Sequence, residues 1–223
     1  MRNPRHFSEE EVLALAREAY ERGICEFPIV KSRSALLVID MQEEFVKPYW
    51  TPYWVPAATR TVPRIARLVE SCRDLGVPVI FTAFGSTHRC LDRPLTGPLM
   101  PNRYASTPRD SSWFTESKIV RELMPRQEEI TISKPSYGAF YDTPLETVLK
   151  NLGRDTVIIS GTLTNFCCGM TARQAYERGY RVVFGSDVTA TDDSDMHENE
   201  LKNLRKGFAK VMTAEEIVTA LRA

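Results

Sequence analysis

Short apolar runs alternate along this chain with longer stretches of helical periodicity. Ser34–Ile39 (SALLVI), Val77–Phe84, Glu129–Ser133, Thr156–Ser160 and Arg181–Ser186 read as strands. Helical patterns cover roughly Ala57–Leu75, Ser117–Leu123, Thr143–Leu152, the segment after Gly161, and Asp195–Phe208. Gly76 and Gly153 stand where two of these helices stop. A short strand at Lys210–Met212 and a helix at Ala214–Leu221 finish the chain. Parallel neighbours need long crossovers, and crossover helices cover both faces of a sheet. The alternation therefore predicts an α/β domain with a parallel sheet between two helical layers.

At 223 residues the chain is long enough for one domain with a sizeable core. Lys plus Arg (29) equals Asp plus Glu (29), so no overall field recruits nucleic acid or an anionic membrane. The apolar runs are too short to span a bilayer. The N-terminus, MRNPRHFSEEE, carries charges where a signal peptide needs an apolar segment. Five cysteines (25, 72, 90, 167 and 168) form no zinc-like spacing and no even set. These features together predict a cytoplasmic protein with free thiols. Ser8 followed by Glu11 is a capping-box signature. Val12, Leu15, Ala16 and Ala19 then give an amphipathic helix to Gly23, so residues 1–33 read as an N-terminal helical extension and 34–223 as the main domain.

Two segments break the alternation. Val46–Pro56 (VKPYWTPYWVP) sets Tyr49, Trp50, Tyr53 and Trp54 among prolines, and Gly85–Ser112 is long, Pro-rich and without period. Loops of that length in a compact domain are lids, binding loops or subunit contacts.

In an open parallel sheet, ligands bind beyond the carboxyl ends of the strands. The first strand there runs into Asp40, the third into Lys134, and the fourth into Gly161 and the pair Cys167–Cys168. A carboxylate, an amine and a thiol thus converge on one edge, and an activated nucleophile needs a base and a charge partner close by. Cys168, Ala172, Ala175 and Gly179 recur at helical spacing as a small-residue packing face. Cys167 lies about 100° round that helix, on a face continuing through Thr171 and Gln174. Near a helix N-terminus, free N–H groups and the dipole stabilise a thiolate. Cys167 is therefore the candidate nucleophile, and Cys168 a core residue.

These residues place the chain in a resemblance. ALLVIDMQEEF (Ala35–Phe45), KPSYGAFYDTPLETVLKNLG (Lys134–Gly153), GTLTNFCCGMTAR (Gly161–Arg173) and GYRVVFGSDVTA (Gly179–Ala190) occur in the order and spacing of the isochorismatase-like cysteine hydrolases. That group includes nicotinamidases, N-carbamoylsarcosine amidohydrolase, ureidoacrylate amidohydrolases and isochorismatases. The resemblance implies a three-layer αβα Rossmann-like fold with a mostly parallel six-stranded sheet. It implies a catalytic triad of Asp40, Lys134 and Cys167, and a cis peptide at Thr162–Leu163. It implies an oxyanion hole from the N–H groups of Leu163 and Cys167. Dimers or tetramers are common among such proteins, so a homo-oligomer is expected.

Departures from the family pattern narrow the chemistry. No Asp-x-His follows the second helix, and His6, His88 and His197 are scattered, so neither metal nor cofactor is expected. His197 reads as serving the surface or start of its own helix. A nucleophilic Cys argues against vinyl-ether hydrolysis, which needs no thioester. The expected substrate is a small amide or ureide, with nicotinamide ranked below acyclic amides. The expected pocket residues are Gln42, Phe45, Tyr137, Phe140, Thr162 and Phe166, with Phe45 and Tyr137 foremost. Arg89, Arg93, Arg103 and Arg109 in the long loop are candidates for a carboxylate clamp. Three alternatives stand beside the amidohydrolase: a non-catalytic binding or scaffold member, a nicotinamidase, and a dinucleotide-binding oxidoreductase. The last lacks a G-x-G-x-x-G after the first strand, where IDMQEEF stands instead.

Overall fold

The computed structural model describes residues 6–85, 92, 114, 116 and 118–223. Cys90, His88, Arg89, Arg93, Arg103 and Arg109, and nearly all of the long loop that carries them, lie outside the described residues.

Six strands form the sheet: β1 (Ser34–Ile39), β2 (Val79–Phe84), β3 (Ile130–Lys134), β4 (Thr156–Thr162), β5 (Arg181–Ala190) and β6 (Lys210–Met212). Their order is β3-β2-β1-β4-β5-β6, and every pairing is parallel. Leu37 lies opposite Ile80 on one side and Ile159 on the other. Every residue of β1, β2 and β4 is buried, which is why they read as unbroken apolar runs.

Alternate residues feed two cores. Leu36, Val38, Phe81, Ile158 and Val183 point to the face covered by α3 (Pro56–Asp74) and α7 (Ala214–Arg222). Ala35, Leu37, Ile39, Ile80, Ile159 and Phe184 point to the other, covered by α4 (Leu145–Asn151), α5 (Gly169–Glu177) and α6 (Ser194–Gly207). The result is the three-layer αβα arrangement.

The chain order turns back at β1, where β2 lies on one side and β4 on the other. Beyond that point the ends of β1 and β4 come close together. Gly161, at φ +115°, allows this: a Cβ there would collide with the Ile39 carbonyl. The register between β4 and β5 shifts between Ile159 and Gly161, so β5 runs on to Ala190, past the expected end at Ser186.

One expectation fails locally. Of the helix expected over Ser117–Leu123, the described residues 118–123 form only a 3₁₀ turn at Arg121–Leu123. The β-branched pair Ile119–Val120 is extended instead. Ile119 bridges Gln42 antiparallel, and Val120 N–H donates to the Met41 carbonyl at 3.0 Å. The short helix α2 (Glu43–Val46) follows at once. The N-terminal helix α1 (Glu9–Arg22) does form, with its Ser8–Glu11 capping box, but buries no residue fully. It rests on α6, where Gly23 meets Arg205 and the Tyr20 ring meets Lys206, while Val12, Leu13 and Leu15 face outward.

Candidate active site

Asp40 follows β1 in the left-handed region, at φ +49°, which an aspartate tolerates better than most residues. Its N–H donates to the Thr82 carbonyl and hydroxyl, both at 3.2 Å. Thr82 Oγ1 returns a 2.7 Å hydrogen bond to Asp40 Oδ1. The end of β2 therefore sets the carboxylate's orientation. Oδ2 lies 2.7 Å from Lys134 Nζ, and both side chains are wholly buried.

Lys134 ends β3. Its ammonium donates to the carbonyls of Ser136 (2.8 Å) and Tyr137 (2.9 Å) and sits 5.2 Å from the Phe84 ring centre. Burial alone pulls its pKa down. Asp40 and Cys167 together outweigh burial, so the net direction is upward and the amine stays charged.

Cys167 arrives by a different route. The Thr162–Leu163 peptide is cis, and a π-helical turn, Thr164–Cys168, leads into α5. This turn brings the Cys167 sulfur beside Asp40 and Lys134, close enough for both to act on its charge. The three residues picked out at the sheet edge thus meet. The expected standing thiolate does not follow, however. Burial pushes the Cys167 thiol up to about 12, Lys134 pulls it down, and Asp40 adds to the rise. Dehydration outweighs the ammonium, so the resting sulfur holds its proton. Cys168 is fully buried in the core between sheet and α5, its thiol 4.0 Å from the Ser160 carbonyl, with Ala172 and Ala175 beside it.

The turn is braced on three sides. Thr171 Oγ1 donates to the Cys167 carbonyl at 2.6 Å and accepts from Ala139 N–H at 3.0 Å, and Gln174 Oε1 accepts from Phe140 N–H. The face expected to be merely polar is thus the seat for the loop after Lys134. His197 does not serve its own helix surface. It bonds Thr164 Oγ1 (2.8 Å) and the Ser186 carbonyl (3.1 Å). A carbonyl only accepts, so Nε2 donates to Ser186. Gly169 leaves room for Glu200, which pairs with Arg173 across α5 and α6.

A pocket opens over the thiol, with about 670 Å³ of empty space counting its mouth. Phe45, Tyr137 and Phe166 are on its wall, as expected, and so are Leu163 and Cys167. Gln42, Phe140 and Thr162 are not. The Gln42 amide is taken up by Phe84, accepting from its N–H (2.6 Å) and donating to its carbonyl (2.9 Å). Phe140 stacks against Tyr180, and the Thr162 hydroxyl donates to the Ala190 carbonyl. Tyr53, Trp54, Val55, Phe84 and Asp192 complete the wall. The first three belong to the aromatic loop, which its length and composition had marked as a lid, a binding loop or a subunit contact. Thr82, Phe84 and Asp192 carried no such signal. Among the described residues no group of His, Cys, Asp and Glu side chains is placed to hold a metal ion, and no helix is long and apolar enough to cross a membrane.

The family model described as the isochorismatase domain matches residues 34–216. Nicotinamidase 3 from Arabidopsis thaliana is 32% identical over 84% of this chain and 88% of its own length. Ureidoacrylate amidohydrolase RutB from Methylobacterium radiotolerans is 27% identical over 83% of this chain and 78% of its own. The crystal structure of a cysteine hydrolase from Pseudomonas syringae pv. phaseolicola matches with a TM-score of 0.78 at 27% identity, covering 88% of this chain and 96% of that one. With its parallel sheet, its edge site and this likeness over most of its length, the chain belongs to the isochorismatase family of hydrolases.

Proposed function

We propose that this protein is a cofactor-free cysteine amidohydrolase. It cleaves the C–N bond of a small carboxamide or ureide through a thioester and releases ammonia. One observation carries the reading: a buried thiol lies beside a wholly buried carboxylate that an ammonium holds at 2.7 Å. A base and a charge partner next to a thiol are what an activated nucleophile needs. The activities in the names of the nicotinamidase and the ureidoacrylate amidohydrolase support the same class.

Asp40 Oδ2 takes the proton from Cys167 Sγ as the sulfur attacks the substrate carbonyl carbon. Deprotonation is concerted with attack, because a free thiolate is too costly in so dry a place. The carbonyl π pair moves to oxygen, and the backbone N–H groups of Leu163 and Cys167 hold that oxyanion. The tetrahedral centre collapses, the C–N bond breaks, and the protonated Asp40 gives its proton to the leaving nitrogen. Water then adds to the thioester while Asp40 takes one of its protons. Collapse of the second tetrahedral centre expels sulfur, which recovers that proton. Lys134 stays ammonium throughout and offsets the negative charge passing between Asp40, sulfur and oxyanion. No step calls for a metal or cofactor. The sulfur must stay reduced, which fits a cytoplasmic setting.

The test is ammonia release from a panel of nicotinamide, N-carbamoylsarcosine, biuret, ureidoacrylate, maleamate and simple carboxamides. Turnover by the wild type should vanish in Cys167→Ala, and one iodoacetamide per chain, at Cys167 and not Cys168, should inactivate the enzyme. Sustained turnover by Cys167→Ala would refute the mechanism. A chain that consumes no amide would instead be a binding member of the family.

A further inference from the structure

The nucleophile is carried on irregular backbone, and the strand beside it is irregular at the same level. Thr164–Cys168 is a single π-helical turn between β4 and α5. Such turns are rare and gather at functional sites. In β5 the pairing with β4 jumps from Ile159–Phe184 to Gly161–Thr189, so residues 185–188 stand opposite Ser160 alone. The β6 register ends at Gly185 and the β4 register resumes at Thr189, and Ser186 falls between them. Bulges of this kind release backbone groups from the ladder and are frequent beside active sites.

His197 of α6 joins the two irregular stretches. Its Nε2 donates to the Ser186 carbonyl at 3.1 Å, and its Nδ1 lies 2.8 Å from the Thr164 hydroxyl. Thr164 is wholly buried and opens the turn that ends on Cys167 and Cys168. A flat ring bonded at both nitrogens sets the spacing of the groups it joins. Thr191, just past the end of β5, adds a second tie by donating to Asn165 Oδ1 at 2.7 Å. The turn is thus hung on β5 by side chains far from it in sequence. His197 itself is not on the pocket wall.

We propose that His197 is a positioning residue for the nucleophile. Acting through Thr164, it fixes the π-helical turn on the β5 bulge and so sets where the Cys167 sulfur and the Leu163 and Cys167 N–H groups stand. A reacting group misplaced by about 1 Å can lose about a hundredfold in rate, so a remote tie of this kind is read in kcat. The kinetic readout rests on the amidohydrolase reading; the hold on the turn does not.

Steady-state kinetics on an amide that the wild type hydrolyses, together with amide hydrogen exchange, read the two separately. His197→Ala should lower kcat about tenfold to a hundredfold and leave KM within about threefold. The amides of Cys168 and Gly169 close the turn on the carbonyls of Leu163 and Thr164. They should exchange at least about tenfold faster, while the β1 amides keep the wild-type rate. Thr164→Val keeps the shape and removes the hydroxyl, so it should reproduce both effects, and Thr164→Ser should recover most of what is lost. Both changes cut one tie, so the double variant should be within about twofold of the worse single variant. An unchanged kcat, turn amides that exchange at the wild-type rate, or losses that multiply in the double variant overturn the proposal. Exchange that quickens equally in β1 makes His197 a general stabiliser and overturns it too. A turn that loosens as expected in a protein that consumes no amide leaves the hold standing and overturns the amidohydrolase reading instead.

Discussion

Strand β3 has an ion pair at each end, one half-buried and one wholly buried, and the two behave differently. Just before it, Glu129 pairs with Arg73 of α3, the side chains 9% and 11% exposed. Both carboxylate oxygens are fully used: Arg73 Nε donates to Oε1 at 2.8 Å and Nη2 to Oε2 at 2.6 Å, and Arg126 N–H adds a third bond at 2.8 Å. Hydrogen bonding to Glu129 raises the guanidinium pKa, against a smaller opposing effect of burial. At the other end Lys134 meets Asp40 at 2.7 Å, more deeply buried, with a thiol beside it. A pair that faces only its own backbone and solvent is scaffold. A drier pair with a protonated thiol beside its carboxylate is equipped for proton transfer, because donor and acceptor already adjoin.

The sharpest way to break this contrast is to neutralise each acid. Asp40→Asn should lower kcat about a thousandfold or more, as loss of a general base does, whereas Glu129→Gln should leave kcat within about threefold. Comparable losses from the two would erase the distinction. Removing each cation comes next. Lys134→Met strands a wholly buried carboxylate and should cost about 3–5 kcal/mol in urea unfolding. Arg73→Met, nearer solvent, should cost about 1–2 kcal/mol.

The protonation of Cys167 offers a third measure. A pKa near 12 means that the thiolate fraction, and with it the iodoacetamide rate, climbs about tenfold per pH unit from 7 to 10 without levelling. A plateau below pH 9 would restore the standing thiolate. The sign for stability is the opposite. The unfolded chain releases this proton near pH 9, so the thiol's contribution is whole below that pH and drains away as pH rises toward 12. The smallest effect belongs to the neighbouring sulfur. Cys168→Ala should cost about 1–2 kcal/mol through a small cavity and leave kcat within tenfold.

Much of the architecture was legible because its signals are local. SALLVI is uninterrupted because β1 is covered on both faces, and Gly76 and Gly153 mark helix ends because each has a positive φ. Asp40, Lys134 and Cys167 could be picked out by where their strands end. The Ser117–Leu123 segment misled because three apolar residues in seven suit a helix as well as a chain pinned between Met41 and Glu43, and only the partner decides. His197 misled because it bonds to Thr164, 33 positions away.

What the sequence alone determined, then, is the layered parallel sheet and which three side chains reach its carboxyl edge, since both follow from periodicity and strand ends. Only the tertiary structure decided that Cys167 keeps its proton, that Thr82 orients Asp40, and that Asp192 joins a ring of aromatics. Desolvation and pocket shape depend on which distant segments come together, and residues 45, 53–55, 84, 137, 163, 166, 167 and 192 share no local pattern.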